Sequence, residues 1–217
     1  MTAQIKIFIT LIIFSILAFV SHGFYFKGSL SFDEKRLARI DAHYEAAINK
    51  QLVAGAQAVI QQNGQIIYNK RWGYSDLSEL TPLSHDTIFH IYSMTKPITS
   101  VAVMILFEEG KILLHQPIAK YIPELANLQV YDPVNGEGNP PVRSAARQPT
   151  VRDLLTHTAG FTYGLFDTSP LGDLYRAADI GGPTRDLQGF VEDLGKLPLK
   201  FDPGTNWNYS VATDVLG

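Results

Sequence analysis

Apolar and polar positions along this chain follow two different periods. Leu37, Ile40, Tyr44, Ala47 and Ile48 recur at helical spacing. Ser31-Phe32-Asp33-Glu34 before them has the form of a capping box, with Ser31 as N-cap and Glu34 three residues on. The pattern predicts an amphipathic helix running to about Leu52. Val53 to Ile60 and Gln65 to Trp72 read as strands, joined across Asn63-Gly64, a pair that tolerates the positive φ of a tight hairpin turn. Pro97 to Glu109 is different. Ile98, Val101, Ala102, Val103, Met104, Ile105, Leu106 and Phe107 make it apolar nearly all round, so a central buried helix closed by Gly110 is expected. Thr150 to Thr158 reads as a short helix boxed by Thr150 and Asp153 and ended by Gly160. Thr184 to Leu197 reads as another, apolar at Leu187, Phe190, Val191 and Leu194, and a last apolar helix begins after Tyr209.

Tyr131 to Pro149, rich in Gly, Pro and Asn, reads as loop, and no stretch after the hairpin is a convincing strand. Helix, hairpin, then several helices is an α+β order. Two strands alone are marginal in water, so the hairpin needs partners. The chain stops at Asp214-Val215-Leu216-Gly217, in the first turns of its last helix, and reads as an N-terminal fragment of a domain.

Residues 1–23 stand apart. Lys6 precedes the apolar run Ile7 to Val20, which as a helix would reach roughly 21 Å against a bilayer core of about 30 Å. That is short for a span and suits the apolar part of a secretion signal, with Ser21 and Gly23 placed for a cut after Gly23. An uncleaved anchor, lengthened by Phe24-Tyr25-Phe26, is the alternative. Either way residues 24–217 are expected to be exported, periplasmic or extracellular, with membrane contact only through the N-terminal segment.

Composition narrows the partners. With 46% hydrophobic and 18% charged residues among 217, the chain is globular rather than disordered. A net charge of -3 without a clustered basic surface argues against nucleic acid. The absence of cysteine excludes disulfides, thiolate metal sites and cysteine nucleophiles within these residues. The histidines show no paired ligand spacing and there is no Gly-rich phosphate loop, so neither metal nor cofactor is expected. Asp132, Asn135 and Glu137 are oxygen donors without the spacing of a calcium loop.

The candidate chemistry is Ser93-Met94-Thr95-Lys96 at the head of the apolar helix. Residues i and i+3 share a helix face, so the Lys96 ammonium can reach the Ser93 hydroxyl, as proton acceptor or as local positive field. A helix N-terminus also favours negative charge developing there. Taken alone, Ser-x-x-Lys is equally a capping serine beside a surface lysine. Ser84-His85-Asp86 holds triad residue types, but adjacent residues do not build a triad, and His157 reads as a packing and hydrogen-bonding residue. Asn208-Tyr209-Ser210 matches a glycosylation sequon that overlaps the candidate site.

Context gives the Ser-Lys pair its meaning. Phe89 to Ser100 is followed by Gly110-Lys111-Ile112-Leu113, Tyr121-Ile122-Pro123-Glu124-Leu125, Leu154 to Phe161, and Phe201 to Ser210. In that order the blocks resemble the serine β-lactamase and penicillin-binding-protein superfamily, and within it class C β-lactamases and family VIII carboxylesterases. The resemblance spans roughly residues 31–217. It implies a β-lactamase-like α+β fold, a helical subdomain plus an antiparallel sheet of which only the N-terminal hairpin is present. It also implies a serine acyl-transfer enzyme with Ser93 as nucleophile, Lys96 as its helix-turn partner and Tyr209 as second-motif tyrosine, acting on a small-molecule ester or lactam. The choice between Lys96 and Tyr209 as main base stays open.

Two departures bear on substrate. Lactam-cleaving class C relatives have Tyr-x-Asn, whereas Val211 stands here where the amide would be, which leans toward esters. The family's Lys/His-Thr-Gly-type strand, which supplies an oxyanion donor, does not occur in these residues. A β-lactamase or D-Ala-D-Ala-type peptidase, or a non-catalytic cell-envelope binding protein or a fragment inactive on its own, are the alternatives to an esterase.

Overall fold

The computed structural model describes residues 33–182 and 185–217. They fall into two compact units, one ending at Phe89 and the other running from His90 to Gly217. The candidate signal segment lies outside the described residues. Among the described residues no helix is long and apolar enough to cross a membrane.

In the first unit, helix α1 (Glu34–Asn49) precedes an antiparallel sheet of β1 (Gly55–Gln62), β2 (Gln65–Asp76) and β3 (Thr81–Pro82), in that order. The cap of α1 falls on Asp33, whose carboxylate accepts from the backbone N–H of Lys35 and Arg36, and not on Ser31, which lies outside the described residues. The helix stops at Asn49, ahead of the expected Leu52. The hairpin is as expected at its turn: Asn63 and Gly64 both take positive φ, 49° and 78°. Tyr44 of α1 stacks on Trp72 of β2 at 4.9 Å, and Asp41 accepts from Tyr68 Oη at 3.0 Å and Lys70 Nζ at 2.7 Å. Gly73, at φ 74°, lets β2 pass close to the start of β1; a Cβ there would lie 2.3 Å from Ala54 O.

The second unit carries α2 (Thr95–Glu108), a two-stranded sheet of β4 (Gln129–Tyr131) and β5 (Val142–Ser144), then α3 (Val151–Leu155), α4 (Pro170–Ala178), α5 (Leu187–Leu194) and α6 (Ala212–Leu216). Its core gathers Ile118, Leu125, Leu154, Phe161, Leu171, Leu194 and Leu199. Tyr175 is buried with them and donates its hydroxyl to Pro198 O at 3.1 Å.

Several expectations need correction. The segment read as plain loop, Tyr131 to Pro149, contributes strand at both ends of its turn, and β3, β4 and β5 are strands beyond the first hairpin. Asp132 shapes that turn, accepting from Asn135 N at 2.9 Å and Val134 N at 3.1 Å and pairing with Arg143. Helix α3 has the predicted capping box of Thr150 and Asp153, but it ends at Leu155, before Gly160. The helix expected over Thr184–Leu197 is Leu187–Leu194, capped by Asp186, and Thr184 lies outside the described residues. Helix α4 is not in the sequence reading. The largest departure is α2: only Val103 is buried, while Ile98 and Val101 are 62% and 59% exposed. It has more apolar faces than the elements of its own unit cover.

Candidate active site

Ser93 sits in a single 3-10 turn, Tyr92–Met94, that runs directly into α2. Tyr92 enters this turn at φ 45°, in the left-handed region, with its ring stacked on His90 at 4.2 Å. A non-glycine residue held there costs on the order of 1–3 kcal/mol, a form of strain that collects at functional sites. Neither the turn nor α2 has a side-chain cap. Ser93 is therefore no capping serine. Its Oγ lies 2.6 Å from Tyr209 Oη and 3.5 Å from Lys96 Nζ. The helical i, i+3 spacing delivers the lysine, as predicted.

Tyr209 arrives by a tertiary route. The stretch from Lys200 to Ser210 is laced to residues 157–161 by backbone bonds: Lys200 N to Gly160 O at 2.7 Å, Gly204 N to Thr158 O at 2.8 Å and Asn208 N to His157 O at 2.9 Å. The Asn208 side chain donates to Phe161 O at 3.0 Å, so the sequon amide serves as part of this lacing. Beneath it Asp153, buried, accepts both forks of Arg147 at 2.6 and 2.9 Å and the hydroxyls of Thr150 and Thr158. Burial alone would raise this carboxyl; Arg147 and Thr150 outweigh it and bring it down to about 2.

Around Lys96 there are two phenols. Tyr209 is lowered from the ordinary phenol value, first through its hydrogen bond with Ser93 and further by the Lys96 charge, against some desolvation. Tyr163 is pushed up, first by burial and then by Asp214, whose carboxylate accepts its hydroxyl at 2.8 Å. Lys96 Nζ also donates to Tyr163 Oη at 3.3 Å. The His157 ring lies 4.9 Å from that of Tyr209 with Nδ1 3.4 Å from Ser210 Oγ, and burial followed by the Lys96 charge holds it below its ordinary value. It packs against the Tyr209 ring.

The structure thus brings Ser93, Lys96 and Tyr209 together within hydrogen-bonding reach. Ser93 and Lys96 line a cleft of about 450 Å³, along with His90, Thr99, Tyr163, Thr213 and Asp214. Neither Tyr163 nor Asp214 is a site candidate in the sequence. Tyr163 follows the Leu154–Phe161 block by two residues, and only its spatial neighbours single it out. Ser84, His85 and Asp86 form no triad: Ser84 Oγ bonds Thr87 and His85 pairs with Arg71. Val211 is 4% exposed and belongs to the core. Among the described residues no His, Asp or Glu cluster could hold a metal ion.

The chain is similar to known proteins. The Beta-lactamase family profile matches residues 40–217. Esterase EstB of Burkholderia gladioli is 34% identical over 185 residues, which make up 83% of this chain and 43% of EstB. The solved structure of EstCE1, described as a hydrolase with promiscuous acyltransferase activity, superposes with a TM-score of 0.70 at 26% identity, covering 85% of this chain and 46% of EstCE1. A class C beta-lactamase structure shares the fold, with a TM-score of 0.60 at 19% identity over 87% of this chain and 44% of its own. The chain therefore spans less than half the length of each of these proteins.

Proposed function

The chain belongs to the beta-lactamase family, and on that premise we propose that it acts as a serine hydrolase cleaving carboxylic esters through an acyl-enzyme on Ser93. The observation that carries this reading is the placement of Ser93 Oγ 2.6 Å from Tyr209 Oη and 3.5 Å from Lys96 Nζ. Tyr209, as phenolate, takes the Ser93 proton while Oγ attacks the ester carbonyl. The tetrahedral oxyanion forms beside the N-terminal end of α2, whose dipole favours negative charge. As the carbon–oxygen bond to the leaving alkoxide breaks, Tyr209 returns the proton to it, leaving the acyl group on Ser93. Water then attacks the acyl carbon, gives a proton to Tyr209, and the carboxylic acid departs as Ser93 recovers its hydrogen. Lys96 supplies the positive field that favours the phenolate.

Two observations support esters over lactams. EstB is named as an esterase. Position 211 carries a buried valine, which offers no amide to hold a lactam or peptide. Export, carried by residues 1–23, is part of the same proposal and rests on sequence alone. The test mixes the full chain with a 4-nitrophenyl short-chain ester and, separately, a chromogenic cephalosporin, and follows product release. The expected result is a burst near one equivalent from the ester, none from Ser93→Ala, and little from the cephalosporin. Cephalosporin cleavage faster than ester cleavage contradicts the ester assignment. An undiminished burst in Ser93→Ala contradicts the nucleophile.

A further inference from the structure

Lys96 is a long side chain with about 2 kcal/mol of rotamer entropy. A lysine that must hold one position beside Ser93 needs something to hold it. Ser93 cannot do this alone, since its Oγ is exposed and lies at 3.5 Å. We propose that Tyr163 and Asp214 form a positioning pair that fixes the Lys96 ammonium against Ser93. The proposal rests on the reading of Ser93 as nucleophile given above.

Hydrogen-bond bookkeeping sets the direction of this network. A phenol has a single O–H, and Tyr163 commits it to Asp214 Oδ2 at 2.8 Å. Its oxygen can then only accept, and the donor facing it is Lys96 Nζ at 3.3 Å. The order is fixed as lysine N–H to phenol oxygen, phenol O–H to carboxylate. A carboxylate that accepts the phenol's hydrogen bond makes the phenol oxygen a better acceptor, so Asp214 strengthens a contact it does not itself make.

The parts are anchored independently of the lysine. Lys96 lies in the first turn of α2 and Asp214 in α6, and these two helices pack together. Tyr163 is held by its backbone carbonyl, which accepts from Phe166 N at 3.2 Å and Asp167 N at 3.1 Å. Its ring meets Phe166 edge-on at 5.8 Å and lies 5.6 Å from the Tyr209 ring. The Lys96 ammonium sits 5.6 Å from the centre of the Tyr163 ring and 5.0 Å from that of Tyr209, facing both aromatic rings. Tyr209 and Tyr163 thus share one lysine but divide the labour. Tyr209 bonds the nucleophile; Tyr163 bonds a carboxylate.

The alternative role for Tyr163 is a tether that joins its loop to α6 and does nothing to the lysine. The test therefore reads the lysine itself. In the full chain labelled with 13C at lysine Cε, the Lys96 signal, assigned by its loss in Lys96→Arg, is expected to show a high order parameter. Tyr163→Phe and Asp214→Asn should each drop it to the range of surface lysines, and the double variant should drop it no further. Acylation of Ser93 by an activated ester should slow about 10- to 100-fold in either single variant, with Asp214→Glu recovering part of the rate. Unchanged Lys96 order in Tyr163→Phe, or losses that add in the double variant, would overturn the proposal. If Tyr163→Phe fails to fold, Asp214→Asn, an exposed and nearly isosteric change, carries the same readout. If the parent shows no Ser93 acylation while Lys96 order still depends on Tyr163, the pair stands and the nucleophile reading fails.

Discussion

Two neighbours of Lys96 carry the same functional group in opposite conditions. Toward Ser93 stands Tyr209, whose hydroxyl meets an exposed serine and whose proton is loosened. Toward Asp214 stands Tyr163, half-buried, whose proton is held by that carboxylate. A phenol becomes a base where a hydroxyl and a cation outweigh the anion nearby, as Ser93 and Lys96 outweigh Asp214 at Tyr209. It becomes a strut where burial and a carboxylate keep it protonated. The comparison teaches that neighbours assign the role, and that nearness to the lysine does not.

The sharpest way to break this comparison is to remove each phenol oxygen in turn. Tyr209→Phe should slow Ser93 acylation about 10²- to 10⁴-fold, the range for loss of a positioned general base, with little change in melting temperature. Tyr163→Phe should cost less, within the 10- to 100-fold given above. A reversed order, measured by intact-mass time courses, would exchange the two roles.

The pH profile separates the phenols without a substitution at either. A base works only when deprotonated, so acylation should fall as pH drops below the Tyr209 value. It should flatten above that value, at a pH below 10, the ordinary phenol value from which Tyr209 is lowered. Tyr163, raised, contributes no step in that range. A rate that keeps climbing through pH 10 would assign the step to an unperturbed phenol or to hydroxide.

The smallest expected effect on rate comes from the polar cluster beneath the site. Asp153 has its carboxyl at about 2 in the folded chain against an ordinary 3.8. A lowered carboxyl stabilises the fold above its unfolded value, so its contribution, on the order of 2 kcal/mol by linkage, is present above about pH 4 and lost as pH falls toward 2. Asp153→Asn should lower the melting temperature at pH 7 and flatten the acid limb of stability between pH 4 and 2. The acylation rate of the molecules that remain folded should stay the same. A large rate loss at unchanged stability would place Asp153 in the chemistry.

What the sequence could reveal followed the range of the interactions. The hairpin turn at Asn63-Gly64 and the Ser93–Lys96 pair are local, set by two and four residues, and both are where the pattern puts them. Helix α4 was legible in principle, since Ser169 caps it and Pro170 opens it, but its apolar stripe is short. The pairing of β4 with β5 was not, because strands of three residues leave no alternating signal. The exposure of α2 follows from what covers it, which its own residues do not encode. The Tyr163–Asp214 contact joins residues 51 apart, and neither carries a local mark of its partner. Tyr209 was found only because its whole block resembles a family motif.

The most direct test of the central claim is to locate the acyl group. The full chain is exposed for seconds to an activated short-chain ester, quenched in acid, digested and read by tandem mass spectrometry. The account predicts one adduct, on the peptide bearing Ser93 and on that side chain, absent in Ser93→Ala and slow to appear in Tyr209→Phe. An acyl group on a lysine or on a different serine, at equal speed in all three proteins, would contradict it.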